Sequence, residues 1–216
     1  MTTKTVAIPM PAFRYQRFTI RGTEIYVQNK FSAKAREKMR TDQEMGWQAK
    51  SRKVREPKDF GRAYADAIHV STDGWHGIPA SAFRAAMISA CRIVGFAMTR
   101  AKLSVFVEAE GIDADDATPL VRITKGEPEY REDLVRQQTT TDLRPRPMWT
   151  PGWEARVVVR YDTAQFSDED VYALMLRVGS QVGIGEGRPD SRSSAGMGWG
   201  LFEVVEAAAG DLKETE

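Results

Sequence analysis

An α+β class is predicted for this chain by three observations. Segments of alternating apolar and polar residues, the mark of half-buried strands, open the sequence and recur along it. Two stretches carry apolar residues at helical spacing, one before the midpoint and one near the end, and strand patterns follow both. The coarse order is strand, insertion, helix, two strands, long excursion, strand, helix, Gly-rich loop, strand. If the excursion interrupts one hairpin, this is the split βαβ arrangement of a ferredoxin-like (RRM-like) core with a basic insertion and a thumb-like excursion. No solenoid-length repeat is present, so residues 1–216 read as one elaborated domain.

The elements follow in order. FRYQRFTIRGTEIYVQ, residues 13–28, places Phe18 and Ile20 before a turn at Arg21-Gly22-Thr23 and Ile25 and Val27 after it. This is a strand or hairpin with one buried face. Residues 30–77 form a basic insertion with few large aliphatics and a short helix expected near Ala33 to Arg40. Its Trp47 and Phe60 lie among cations, as base-stacking groups or as packing anchors. IHVSTDGWHG then gives a strand and a turn at Asp73-Gly74. Pro79 and a Ser81 cap announce a helix whose core face is Phe83, Met87, Ala90, Cys91, Val94 and Met98. Arg84 in its first turn is a cation beside a positive helix terminus, which suggests a ligand contact or an ion pair.

LSVFVEAEG and ATPLVRITKG read as strands joined by an acidic connection. Its Asp113, Asp115 and Asp116 lack the ligand and glycine positions of a calcium loop, so a solvated turn is expected. The excursion over residues 125–153 ends rich in cations and aromatics: Arg144, Arg146, Met148, Trp149 and Trp153. It either wedges side chains into a nucleic acid strand or is a loop pinned by its tryptophans. EARVVVRYD is the clearest strand. FSDEDVYALMLRVGSQVG is the clearest helix, with Ser167 and Asp170 spaced as a capping box. GLFEVVE is the last strand, and residues 207–216 are expected to fray.

Between that helix and that strand lies the loop 179–200, which holds seven of the 17 glycines together with Arg188, Ser191 and Arg192. Glycines permit positive φ and close backbone approach, so cations, hydroxyls and amides clustered there suit an anion. The bland alternative is a flexible connection.

Composition bounds the function. With 42% hydrophobic and 28% charged residues the chain reads as an ordinary soluble protein. Neither a membrane-length apolar run nor a secretory leader is evident in it. The lone Cys91 excludes an intrachain disulfide and a Cys-rich metal site, so no metal or cofactor is expected, and a cytoplasmic location is. The net charge is +1, yet residues 30–62 hold eleven Lys/Arg against five Asp/Glu. A local anionic partner or a solvated charged loop fits that asymmetry.

Two motifs resemble a known family. Gly77 to Ala86, GIPASAFRAA, is similar to the Ile-Pro-Gly-Ser-Ser-Leu-Lys-Gly-Ala-like motif of the RAMP superfamily, the repeat-associated RNA-binding proteins of CRISPR effector complexes. Gly183 to Gly200 resembles the Gly-rich C-terminal loop of the same superfamily. The nearest group is the Cas7-like backbone subunits. The resemblance implies a ferredoxin-like core that binds single-stranded RNA without reading its sequence, stacks head to tail with copies of itself beside other effector subunits, and pushes a thumb between bases. Residues 125–153 would be the thumb, and the basic insertion would line the strand's channel. Phosphates would meet Lys50, Arg52, Lys53, Arg55, Lys58, Arg84, Arg144, Arg146, Arg188 and Arg192, with Gly185, Gly187 and Ser191 in the loop and Met148 or Trp149 against bases. The chain departs from the family at Ala80, where a helix-start glycine is usual, and no acidic residue matches the RNA-cleaving aspartate of some backbone subunits. The rival within the superfamily is a Cas6-like guide-processing endoribonuclease with His76 as general base. Outside it stands a structural assembly protein of a phage or defence particle.

Overall fold

A computed structural model describes residues 10–31, 33–44, 57–137, 140–191 and 196–210. Its architecture is α+β with antiparallel sheets. The alternation of residues 13–28 builds the central strand β1 (Phe13–Gly22), which buries Gln16, Phe18 and Ile20 on one side. Antiparallel neighbours flank it, β10 (Phe202–Gly210) on one edge and β9 (Glu154–Asp162) on the other. The far side of β9 is shared. Strand β4 (Val105–Glu108) pairs with its second half, and β6 (Pro119–Lys125) pairs with its first residues. Strands β3 (Gly77–Pro79) and β5 (Gly111–Ile112) both pair with β6.

Two helices, α3 (Ala80–Ile93) and α5 (Asp168–Arg177), pack on the buried face. Phe83 and Met87 of α3 and Val171 and Met175 of α5 join Phe18, Ile20, Val157 and Val159 of the sheet in one core. Each such side chain contributes about 1.5–3 kcal/mol through burial. The start of α5 follows its sequence. The Ser167 hydroxyl accepts from the Asp170 N–H, and the Asp170 carboxylate accepts from the Ser167 N–H at 2.9 Å. Ser167→Ala is expected to cost about 1 kcal/mol, read as a fall of roughly 2–4 °C in the melting midpoint. The start of α3 differs from expectation. Strand β3 runs straight into the helix, so Pro79 is the N-cap with no side-chain cap bond, and Ser81 lies inside the first turn.

The excursion is a β-hairpin, β7 (Glu129–Gln137) and β8 (Thr140–Trp149), and the short strand β2 (Tyr26–Val27) pairs with the root of β8. That root is a buried aromatic cluster, with the Tyr26 ring 5.4 Å from both Trp149 and Trp153. The insertion supplies α1 (Ala33–Glu44), longer than expected, and α2 (Phe60–Ala65), while α4 (Met98–Ser104) precedes β4. The Tyr64 hydroxyl of α2 donates to the Pro128 carbonyl at 2.9 Å, which ties the insertion to the hairpin. The end of the chain corrects an expectation. Ala207 to Gly210, placed in a fraying tail, extend β10 opposite Phe18 to Tyr15, because β1 offers them ladder partners. No helix among the described residues is long and apolar enough to cross a membrane.

Candidate nucleic-acid interface

The Gly-rich loop is docked rather than free. The last turn of α5 widens into a π turn, Val178–Val182, which closes when the Gly183 N–H meets the Val178 carbonyl at 2.8 Å. The loop then folds against β2. The Glu186 N–H bonds the Val27 carbonyl at 3.0 Å, and the Gly200 N–H bonds the Ile25 carbonyl at 2.7 Å. Close approach explains Gly185, where a Cβ would sit 2.6 Å from the Val27 oxygen at a φ of +75°.

A groove of about 490 Å³ separates this loop from the first turns of α3. That volume lies in the range of ligand sites. Gly185, Glu186, Arg188 and Asp190 form one wall, and Pro79, Ser81, Ala82 and Ala85 form the other. Between them lie Tyr26, Val27, Gln28, Asn29 and His69. The Arg188 guanidinium is held at the wall by a 2.8 Å bond to the Gly185 carbonyl. Asp190 receives the Ser89 hydroxyl and Arg92 Nη2 at 2.7 Å, which joins the loop to α3. The Ser89 bond first, then Arg92, hold its carboxyl below the ordinary value against the effect of burial. Glu186 lies 3.8 Å from Arg146 Nη1. Arg188 is thus a cation set among acids that have cations of their own.

Several residues fall elsewhere than expected. The amides of Ile184, Glu186, Asp190, Met197, Trp199 and Gly200 bond to carbonyls of the protein, so they fix the loop instead of facing an anion. Gly187 supplies the carbonyl that receives Met197 and Trp199, and the Ser191 N–H meets the Pro189 carbonyl at 3.0 Å. Arg84 lies away from the groove. Its guanidinium donates to the carbonyls of Val105 and Lys102 and stacks 5.1 Å from the Phe106 ring, so it braces α4 against β4. Trp149 is wholly buried in the hairpin root and contacts no solvent, because its register opposite Tyr26 points it into the core. Met148 is half-buried beside Arg131. Arg146 is buried, with Nε lacking a partner, and Arg144 pairs with Asp142. Lys58 is bound to Asp142 and the Leu143 carbonyl. His76 sits 3.5 Å from Glu127 and edge-on to Trp149, outside the groove. Lys50, Arg52, Lys53, Arg55, Arg192 and Trp47 lie outside the described residues.

Sequence reasoning missed a buried polar network beside the groove. Lys30 Nζ lies 2.6 Å from Asp113 and 2.7 Å from Asp115, and His69 Nδ1 lies 2.8 Å from the other oxygen of Asp113. Gln28 accepts from the His69 N–H and donates to the Tyr26 hydroxyl and the Gly77 carbonyl. The side chain of Asp113 is fully buried, which corrects the solvated turn expected there. Burial opposes its charge, yet bonds from Lys30, the Asp115 N–H and His69 hold its carboxyl below the ordinary value. Burial lowers His69, and its bond to Asp113 offsets this only in part. His69, Asp113 and Asp116 lie within 4.8 Å of one another, a spacing a divalent ion could bridge. Lys30 on Asp113 and Arg36 on Asp116 already supply the positive charge, so the cluster is a set of ion pairs rather than a metal centre.

No protein-family model matches the chain, and no curated protein matches it in sequence. Fold and groove together define an α+β domain of antiparallel sheets with a groove between α3 and the Gly-rich loop. A chain in the cryo-EM structure of the Type III-B Cmr-beta bound to cognate target RNA is similar to it, with a TM-score of 0.52 at 13% identity. The match covers 91% of this chain and 60% of that one, and the likeness is one of fold.

Proposed function

We propose that this chain is a single-stranded RNA-binding subunit of a CRISPR effector-like ribonucleoprotein, a cytoplasmic protein that lines up with copies of itself along the strand. One observation carries the reading. Two motifs about a hundred residues apart in sequence, GIPASAFRAA and the Gly-rich loop, meet as opposite walls of one groove. A ferredoxin-like core is supported by the strand order β10, β1, β9, β4 and by the two helices α3 and α5 on one face. In this reading Arg188 meets a phosphate, while Ala82 and Ala85 leave room for a sugar-phosphate backbone. The β7–β8 hairpin, with Leu134 76% exposed, acts as the thumb. The basic segment with Lys50, Arg52, Lys53 and Arg55 adds sequence-independent attraction.

Fluorescence polarisation with a labelled single-stranded RNA at two salt concentrations tests this. Binding is expected to weaken steeply with salt and to vary little with sequence. Arg188→Ala is expected to weaken it for all sequences alike and to reduce the log–log salt slope by about 1. Absence of binding at low salt overturns the reading and leaves a structural assembly role.

A further inference from the structure

We propose that the Glu186 carboxylate is an internal competitor for the strand: it occupies the guanidinium of Arg146, and a phosphodiester of bound RNA displaces it and takes its place. The inference rests on the RNA-binding reading above and concerns how that groove is regulated. An incompletely matched charge carries it. The Arg146 side chain is 7% exposed, its Nε is buried with no partner, and its ion pair with Glu186 spans 3.8 Å from Nη1 to Oε2, beyond hydrogen-bond length. A guanidinium is always charged and offers five donors, and a buried charge is costly unless it is both paired and hydrogen-bonded. Two other arginines of the hairpin show the contrast. Arg131, directly opposite Arg146 in the ladder, is bonded through Nε to both oxygens of Asp133 at 2.9 and 3.1 Å and stacks 4.6 Å from the Trp199 ring. Arg144 is bonded to Asp142 at 3.3 Å. Of the three, Arg146 has the ion pair too long to be a hydrogen bond.

The partner of Arg146 is held weakly. Glu186 borders the groove, is 45% exposed, and has that 3.8 Å contact as its one ion pair among the described residues. A half-exposed pair of this length contributes little. The Glu186 N–H is fixed on the Val27 carbonyl at 3.0 Å, so the side chain can turn to solvent while the wall keeps its place. A phosphodiester carries the same single negative charge and presents two non-bridging oxygens. The exchange therefore keeps Arg146 compensated and supplies the hydrogen bonds it now lacks. Arg188 borders the same groove two residues on, so a seated strand meets two cations. Because Arg146 belongs to β8, the exchange also joins the strand to the hairpin.

The test uses the full chain, a labelled single-stranded RNA and fluorescence polarisation, with melting midpoints taken in the absence of RNA. Glu186→Gln keeps the shape and removes the charge. It is expected to bind RNA about three- to fivefold more tightly than the wild type while melting about 2–4 °C lower, since Arg146 loses its counter-charge. A purely structural role would lower stability and affinity together. Arg146→Met leaves no charge stranded, because Glu186 can turn to solvent, so it is expected to keep the wild-type midpoint or exceed it. In that background Glu186→Gln should bring no gain in affinity. Binding by the wild type with no tightening in Glu186→Gln overturns the inference and leaves the binding role standing. So does a gain of equal size in the Arg146→Met background, which would mean that Glu186 merely repels the strand. Absence of binding by both the wild type and Glu186→Gln at low salt overturns the inference and the binding role together.

Discussion

Lys30→Met is expected to destabilise the domain by about 3–5 kcal/mol, a fall of roughly 10 °C in the melting midpoint for a chain of this size. The substitution removes a cation bonded to Asp113, whose side chain is wholly buried, and strands a charge in the interior. Adding Asp113→Asn should recover most of the loss, because no uncompensated charge then remains. Asp115→Asn should matter little, since that carboxylate is 61% exposed. An unchanged midpoint for Lys30→Met would mean that Asp113 is hydrated or protonated in the folded chain.

The same network sets a pH window. His69 is lowered in the fold, so its contribution is complete above its ordinary 6.5 and is lost as pH falls toward the folded value. Asp113 is also lowered, and its contribution disappears in the same direction, below 3.8. Lys30 is raised, as its two carboxylates overcome burial, so its contribution is present below 10.5 and is lost as pH climbs through the folded value. Urea midpoints should therefore fall between pH 7.5 and pH 4.5, where the wild type loses the His69 contribution while Asp113 is still charged.

This network was the least legible part of the molecule. His69 and Asp113 lie 44 positions apart, and Lys30 lies 83 from Asp113, so no local spacing joins them. The one signal was a histidine set between Ile68 and Val70. Strands β1 and β9 and helices α3 and α5 were legible because each buries one face against the core, which imposes a period on the sequence. The hairpin was not. Strand β7 is charged along its length and β8 contains Pro145 and Pro147, and most of their length stands off the core, so no buried face dictated alternation. Trp149 was misplaced for a related reason. Its cationic neighbours suggested a solvent-facing wedge, but its position opposite Tyr26 makes it the anchor of the hairpin root. In the loop, glycine density pointed to tight backbone geometry. It did not disclose that the loop amides are consumed by carbonyls within the loop and by those of Ile25 and Val27.

That docking makes Gly200→Ala the sharpest test of the groove's architecture. Gly200 has a φ of +70°, and a Cβ there would lie 1.8 Å from the Ile184 oxygen. The residue cannot slide away, since its N–H bonds Ile25 and its carbonyl accepts the Ile184 N–H at 3.0 Å. Left-handed strain and the clash together are expected to cost at least about 3 kcal/mol. Gly198 is the control. Its φ is +77°, yet nothing lies within 4 Å of a Cβ there, so Gly198→Ala should cost only the strain, about 1–2 kcal/mol. The two variants should separate in RNA affinity as well. Displacing Gly200 moves Ile184 and with it the loop segment that places Gly185, Glu186 and Arg188 in the groove wall, whereas Gly198→Ala leaves that wall in place. Melting midpoints and polarisation titrations on both variants give the comparison. Equal losses would show that the loop is held by something other than its bonds to β2, and the groove would then lose its fixed wall.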